Sequence, residues 1–375
     1  MSQTKMVGDR EIEGAEDLIS NLPDEILQHI LCSNIPTKLA ISTSILSRRW
    51  RHVWCEVPSL SLFVGTLTTA ASVNKTLTRY TAPKTKSFHL RIEYVMKNMS
   101  YIYTLIKFAM SHNVENLSLD ISSHYYQFKF PDFVYSSSSI KQLNITLILR
   151  HWIVPECTVS WTSLQKLSLT CCRLSDESMA KILSGCPVLE KLTLYHCREL
   201  EVLDLGKSPR LRALEVIIGN MTVPLRGPRQ IVAPHIHYLR FLSSELSCTL
   251  VDVASLTEAE LEISSVSLNS DLNFPFLHFM VLKMLDKLKN AEKLKLGSSF
   301  IQILSKIGDA PFPTLKVKAL TLDTKICQYV IPGIERLLKN SPDLDLETLK
   351  VRGRTEELIA TLSYNKNVTI VPMIS

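Results

Sequence analysis

A short apolar pattern recurs along most of this chain and restricts the folds open to it. Its core is apolar–x–x–Leu–x–apolar, with the central leucine at Leu117, Leu143, Leu167, Leu192, Leu214, Leu239, Leu261, Leu294, Leu320 and Leu349. Two residues beyond each stand Leu119, Ile145, Leu169, Leu194, Val216, Phe241, Ile263, Leu296, Leu322 and Val351. A weaker copy precedes them at Leu90 and Ile92. Alternation inside each copy predicts a short strand with one buried face. The interval, mostly roughly 22 to 29 residues, predicts stacked units that bury their apolar faces against one another.

This rhythm resembles the leucine-rich repeat, and Leu164, Leu167, Leu169, Cys172 and Leu174 match its longer form. In the middle of the chain a finer spacing of eleven links Leu192, Leu203 and Leu214, and again Leu239, Leu250 and Leu261. The intermediate leucines are expected in strands on the opposite wall of each coil. Elsewhere a helix fits better: Asp176 to Leu183 is a good helix, stopped near Gly185 and Pro187. The expected solenoid is therefore mixed, helix-backed in some coils and strand-backed in others.

The stretch Asp17–Trp54 has a different period. Pro23, Asp24 and Glu25 fit a helix start, since proline is tolerated in the first turn and the acids face the positive end of the helix dipole. Ile26, Leu27, Ile30 and Leu31 recur at helical spacing. Pro36 opens a second short helix through Ala40 to Leu46. Ser47 is placed as N-cap of a third, in which Trp50, Val53 and Trp54 share a face and Arg48, Arg49 and Arg51 point elsewhere. Three helices in so few residues cannot bury all this apolar surface among themselves, so the rest of the chain or a partner must cover some of it.

Leu22-Pro23-Asp24-Glu25-Ile26-Leu27, the Ile-Pro-Thr-Lys turn and Leu46-Ser47-Arg48-Arg49-Trp50-Arg51 resemble a plant F-box nearly position for position. The resemblance implies a module that grips the Skp adaptor, and through it a cullin, in a ubiquitin ligase. It implies adaptor contacts at Leu22, Pro23, Ile26, Leu27, Ile30, Leu31, Leu46, Trp50 and Trp54. Ser184 to Leu194 is similar to a repeat junction of one plant branch of these proteins. Ile331 to Pro342 resembles the C-terminal region called FBD, although Asp343 to Leu349 is longer than the usual connection. The fold class expected is α/β, with an N-terminal three-helix F-box followed by a leucine-rich-repeat solenoid. The expected divisions are a disordered tail over 1–16, the F-box over 17–56, a connecting segment over 57–86, the solenoid over 87–310 and FBD-like terminal repeats over 311–375. In the connecting segment Val73, Leu77 and Tyr80 predict a helix around Ala70–Tyr80.

Composition narrows the chemistry. A hydrophobic content of 46% supports a sizeable core, and a net charge of +6 is modest and scattered, without the basic stripe and interleaved aromatics of a nucleic-acid surface. Nine cysteines form no even framework and no C-x-x-C pair, and residues 1–16 lack the apolar core of a secretory leader. Free thiols in a reducing compartment are expected, and the F-box resemblance implies nucleus or cytoplasm. No apolar run approaches the ~18 residues that span a bilayer. Cys172 and Cys197 share one offset in consecutive repeats and read as buried structural residues. His235 and His237 lack a third ligand. Tyr125 to Tyr135 is an aromatic run expected to pack the back of a coil. No nucleophile, metal or phosphate-binding pattern occurs, so neither catalysis nor a cofactor is expected.

Recognition of a target protein is then expected on strand residues that point away from the core. These include Ser168, Thr170, Thr193, Tyr195, Glu215, Ile217, Arg240, Leu242, Lys295, Thr321 and Asp323, with Tyr195, Glu215, Ile217, Arg240, Leu242 and Lys295 singled out as the target-binding set. The chain is read as a substrate-recognition subunit, or alternatively as an adaptor-binding scaffold without a ubiquitination target.

Overall fold

The computed structural model describes residues 19, 22–32, 35–65, 70–93, 99–121, 128–148, 151–219, 227–243, 248–263, 274–306, 308, 311–325, 327–345, 350–351 and 371–372. Leu349, Tyr125 to Gln127 and the expected tail over 1–16 lie outside them.

The N-terminal module holds α1 (Asp24–Cys32), α2 (Thr37–Ser42) and α3 (Trp50–Val53), with 3-10 turns at Thr43–Ile45 and Trp54–Glu56. The Pro23 carbonyl accepts the N–H groups of Ile26 and Leu27 at 3.1 and 3.2 Å, so the proline sits just before the helix it starts. Ser47 does not cap α3. Arg49 stands at that position without a side-chain cap. Its guanidinium turns inward instead, donating to Asp24 Oδ1 at 2.6 Å and to the Leu22 carbonyl, and so ties the start of α3 to the start of α1. Leu27, Leu31, Ala40, Trp50, Val53, Trp54, Cys55 and Val57 form a small core of their own.

The rest of the chain is built on one parallel sheet. Its first strands are β1 (Ser59–Val64), β2 (Ser87–Ile92), β3 (Asn116–Ile121), β4 (Gln142–Thr146), β5 (Lys166–Thr170) and β6 (Lys191–Tyr195). The sheet then takes alternate strands. β7 (Val202–Asp204), β9 (Gln230–Val232) and β11 (Thr249–Asp252) form a separate three-stranded sheet, while β8 (Ala213–Ile218), β10 (Tyr238–Ser243) and β12 (Glu258–Ile263) continue the first. β13 (Lys293–Gly297), β14 (Ala319–Asp323), β15 (Lys350–Val351) and β16 (Val371–Pro372) complete it. The mixed solenoid expected from the leucine spacing is therefore present. Leu203 and Leu250 lie buried on the back wall, joined by Ile231, which the eleven-residue rhythm does not reveal.

Helices back the other coils: α4 (Ala70–Arg79), α5 (Met99–Ser111), α6 (Asp132–Tyr135), α7 (Asp176–Ser184), α8 (Phe274–Lys287), α9 (Ser298–Lys306) and α10 (Ile331–Lys339). In α7 the Ser175 hydroxyl accepts the Ser178 N–H at 3.1 Å, an N-cap that satisfies one otherwise orphan donor. Gly185 ends it where a Cβ would stand 2.4 Å from the Val159 carbonyl oxygen. Of the expected aromatic run, Phe128, Phe130 and Tyr135 are buried in their coil, while Phe133 is exposed. Phe130 meets Tyr135 at 5.3 Å between ring centroids, and Tyr135 meets Trp161 at 5.5 Å.

Two boundaries differ from the sequence reading. The segment 57–86 contributes β1, paired in register with β2, so the sheet begins at Ser59 rather than near residue 87. Register also shifts two copies by two residues: Phe88, not Leu90, aligns with Leu117, and Ala259, not Leu261, aligns with Leu239 and Leu294. A shift of two preserves which face each residue occupies, so outward positions are unaffected. At ten junctions of the large sheet among the described residues, and at an eleventh on the back wall where Glu201 accepts Arg229 and Gln230, one carbonyl accepts two successive N–H groups of the next coil. Pro58 accepts from Lys86 and Ser87, for example, and Lys86 from Glu115 and Asn116. This repeated bond satisfies the backbone where the chain enters each strand and holds the coils in register.

Candidate protein interfaces

The F-box-like residues fall into two groups. Leu27, Leu31, Trp50 and Trp54, expected as adaptor contacts, are buried within the module and pack its core. Leu22 is partly buried against the same core. Pro23, Ile26 and Ile30 are exposed, and Leu46 is 64% exposed. Ile45, at 88%, and Leu39 join them as exposed aliphatics that sequence reasoning missed. The 3-10 turn at Thr43–Ile45 explains the omission of Ile45, because it tightens the chain and takes that residue out of an α-helical phase. The result is an apolar surface of Ile26, Ile30, Leu39, Ile45 and Leu46 on a module too small to cover it.

On the sheet, strand alternation places the predicted target-binding residues outward, but in two rows of different character. One row runs Thr193, Glu215, Arg240, Glu260, Lys295 and Thr321 across neighbouring strands. Its charges pair with one another. Lys191 Nζ donates to Glu215 Oε1 at 2.7 Å, and the Thr193 hydroxyl to Glu215 Oε2 at 3.3 Å. Lys295 Nζ donates to Glu260 Oε1 at 2.7 Å, while Arg240 Nε lies 3.6 Å from that oxygen. The Tyr238 hydroxyl donates to Glu260 as well, and burial together with that carboxylate pushes its pKa up to about 12. Arg240 and Lys295 thus converge on Glu260, which the sequence reading did not single out, while Glu215 is held by Lys191 and Thr193. The signal was present in Glu258, Glu260 and Glu262, which alternate along β12.

The second row runs Tyr195, Ile217, Leu242, then Glu262, Gly297 and Asp323. Tyr195 is 40% exposed, and Ile217 and Leu242 are half-buried. These three give the open face an apolar strip. The Glu262 carboxyl lies over Gly297, in the space a side chain there would fill. Burial and the neighbouring Asp323 carboxylate raise its pKa to about 7, against the opposing pull of Lys295.

The remaining chemistry-bearing residues are structural. Cys172 and Cys197 are buried, with thiols donating to the carbonyls of Thr170 and Leu169 at 3.3 and 3.2 Å. Burial drives the Cys172 thiol well above its ordinary pKa, away from thiolate chemistry. His235 and His237 lie before β10, and the His235 carbonyl accepts from Arg212 Nη1 at 3.1 Å. Among the described residues no three His, Cys, Asp or Glu side chains are grouped to hold a metal, and no helix is long and apolar enough to cross a membrane.

The family model described as At1g61320/AtMIF1, LRR domain matches residues 76–370. The Arabidopsis thaliana putative F-box/LRR-repeat protein At3g18150 is 54% identical over 343 residues, covering 91% of this chain and 73% of the relative. The F-box/LRR-repeat protein At5g02910 of the same plant is 49% identical, over 90% of this chain and 73% of its own length. The putative F-box protein At1g49610 is 48% identical, over 90% and 85% respectively.

Proposed function

This chain belongs to the F-box/leucine-rich-repeat proteins, and from that premise we propose that it is a non-catalytic substrate receptor of a Skp–cullin–F-box ubiquitin ligase in nucleus or cytoplasm. The observation that carries the reading is the exposed aliphatic surface of Ile26, Ile30, Leu39, Ile45 and Leu46, set on a module whose own core is already closed by Leu27, Leu31, Trp50 and Trp54. Burying such a surface against an adaptor gains roughly 25 cal/mol per Å2 before the cost of association.

The open face of the repeat sheet would hold the target, with Tyr195, Ile217 and Leu242 as its apolar centre and the Glu215–Lys191 and Glu260–Lys295 pairs beside it. Catalysis on this reading is a matter of position: holding the target raises the effective concentration of its lysines near the ligase's ubiquitin-loading end. No side chain of this protein then acts as acid, base or nucleophile. A scaffold that binds the adaptor and delivers no target would share the first interface and lack the second.

The experiment is reconstitution with a purified Skp-type adaptor and cullin, followed by comparison of ubiquitinated proteins for wild type and an Ile45→Asp/Leu46→Asp variant. A receptor gives a set of modified proteins that disappears with the variant. A scaffold gives adaptor binding and no such set.

A further inference from the structure

The open face of β12 carries three carboxylates at alternate positions, and two of them are answered. Glu258 Oε2 lies 3.7 Å from Lys293 Nζ, and Glu260 Oε1 takes Lys295 at 2.7 Å with Arg240 at 3.6 Å. The cations that β10 and β13 present to β12 are therefore already engaged. Glu262 forms no ion pair among the described residues. It is a half-buried carboxylate whose charged neighbours are Asp323 on β14, Lys295 on β13 and Glu260 on its own strand, two like charges against one unlike.

Its place in the sheet matters as much. The row that holds it begins with Tyr195, Ile217 and Leu242, and Leu242 is its direct neighbour on β10. On the other side the carboxyl leans over Gly297, where any Cβ would collide with it. The missing side chain lets the carboxyl lie against the sheet at the end of the apolar strip. A carboxylate desolvated without a counter-charge is costly, and a cation brought to it by a ligand offsets that cost with a charge-assisted hydrogen bond.

We infer that the Tyr195–Ile217–Leu242 strip and Glu262 at its end dock an extended segment of the target protein in which a lysine or arginine follows two apolar side chains at alternate positions. Neighbouring strands lie about 4.8 Å apart, so the Tyr195 and Glu262 columns, three strands apart, are separated by roughly 14 Å. An extended chain covers that distance in about four residues, and its alternate side chains face the same way. Two apolar side chains then lie on the strip, and the third, basic one meets Glu262. Charge complementarity fixes the sign of that third residue: a carboxylate would add to Glu260, Glu262 and Asp323, whereas a cation neutralises Glu262. The inference rests on the reading of the open face as target-binding, and names the chemistry that face selects.

The probe is a fluorescent peptide of serines carrying leucine, leucine and lysine at alternate positions, titrated into the full-length protein. Control peptides hold glutamine or glutamate in place of the lysine. The lysine peptide should bind severalfold more tightly than the glutamine peptide and at least tenfold more tightly than the glutamate one. A bound cation favours the ionised carboxyl, so binding releases a proton and should tighten from pH 6 to pH 8. Glu262→Gln, of the same shape, should weaken the lysine peptide severalfold, leave the glutamine peptide unchanged and abolish the pH dependence. Leu242→Ser should weaken all three. Equal binding of the lysine and glutamate peptides overturns the inference, as does a lysine peptide indifferent to Glu262→Gln, or no binding by any peptide. If Leu242→Ser converts a dimer to a monomer in sedimentation, the face joins copies of this chain and the target assignment is overturned. The receptor reading is tested apart: in the reconstituted ligase, a set of modified proteins that persists unchanged with Glu262→Gln refutes this inference alone, whereas no modified proteins with wild type refutes the receptor reading.

Discussion

The Thr37 hydroxyl accepts the backbone N–H of Ser61 at 2.7 Å, so a helix of the F-box module caps the edge strand of the repeat sheet. An uncovered parallel edge invites pairing with other chains, and α2 closes this one. The Thr81 N–H donating to the Cys55 carbonyl at 2.9 Å and the Tyr80 hydroxyl to the Val57 carbonyl at 2.8 Å fix the same junction. Thr37→Val keeps the shape and removes the acceptor. Leaving the Ser61 N–H unpaired should cost about 1–3 kcal/mol, read as a lower midpoint in urea unfolding. An unchanged midpoint would mean that the bond contributes nothing to the junction.

The ion ladder changes what charge reversal should do. Sequence alternation alone treats Arg240 and Lys295 as independent exposed charges, whose reversal would be nearly silent in stability. Both face Glu260, so Arg240→Glu/Lys295→Glu sets three carboxylates together. These positions are partly exposed and screened, so the expected loss is about 1 kcal/mol and should shrink in high salt. Thermal melts at low and high ionic strength measure both effects.

Glu262 predicts a pH dependence whose sign is opposite to the common carboxylate case. Its pKa rises on folding, to about 7, so the folded protein holds this proton where the unfolded chain has released it. Asp323, Glu260 and Lys295 are the charged groups that bear on it. The stability from this group is fully present below the ordinary carboxylate range and is lost as pH climbs toward about 7, then stays level. Glu262→Gln should therefore gain melting temperature relative to wild type at pH 8 and lose that advantage at pH 5. Parallel curves for the two proteins across this range would contradict the assigned environment.

Much of this fold was legible in the sequence because the repeat imposes one period on many coils. Leu117, Leu143, Leu167, Leu192 and Leu214 align as their spacing predicts. The pattern failed where a small residue took a large one's place: Ala259 fills the column that Leu261 was assigned. Ser59–Val64 was passed over because its leucines, Leu60 and Leu62, are set among serines and follow a proline, which reads as loop. The adaptor surface was only half visible. A helical period cannot tell Ile26 from Leu27 when both lie on one broad stripe, nor anticipate a 3-10 turn that exposes Ile45. Arg173 and Arg198, bridged across neighbouring coils, did leave a trace, each one residue after the repeat-locked Cys172 and Cys197.

The most direct test of the division between adaptor-binding helices and target-binding repeats is the affinity of a purified Skp-type adaptor, titrated into three proteins by calorimetry. These are wild type, Ile45→Asp/Leu46→Asp, and Arg240→Glu/Lys295→Glu on the open face of the sheet. The aspartates stand at exposed positions and should change stability by about 0.5 kcal/mol or less, yet each buries a charge in an apolar interface, so affinity should fall by at least ~2 kcal/mol, roughly thirtyfold. The open-face variant should bind the adaptor as wild type does. Adaptor affinity that survives the aspartates with the melting temperature intact, or falls only with the open-face variant, would contradict the account.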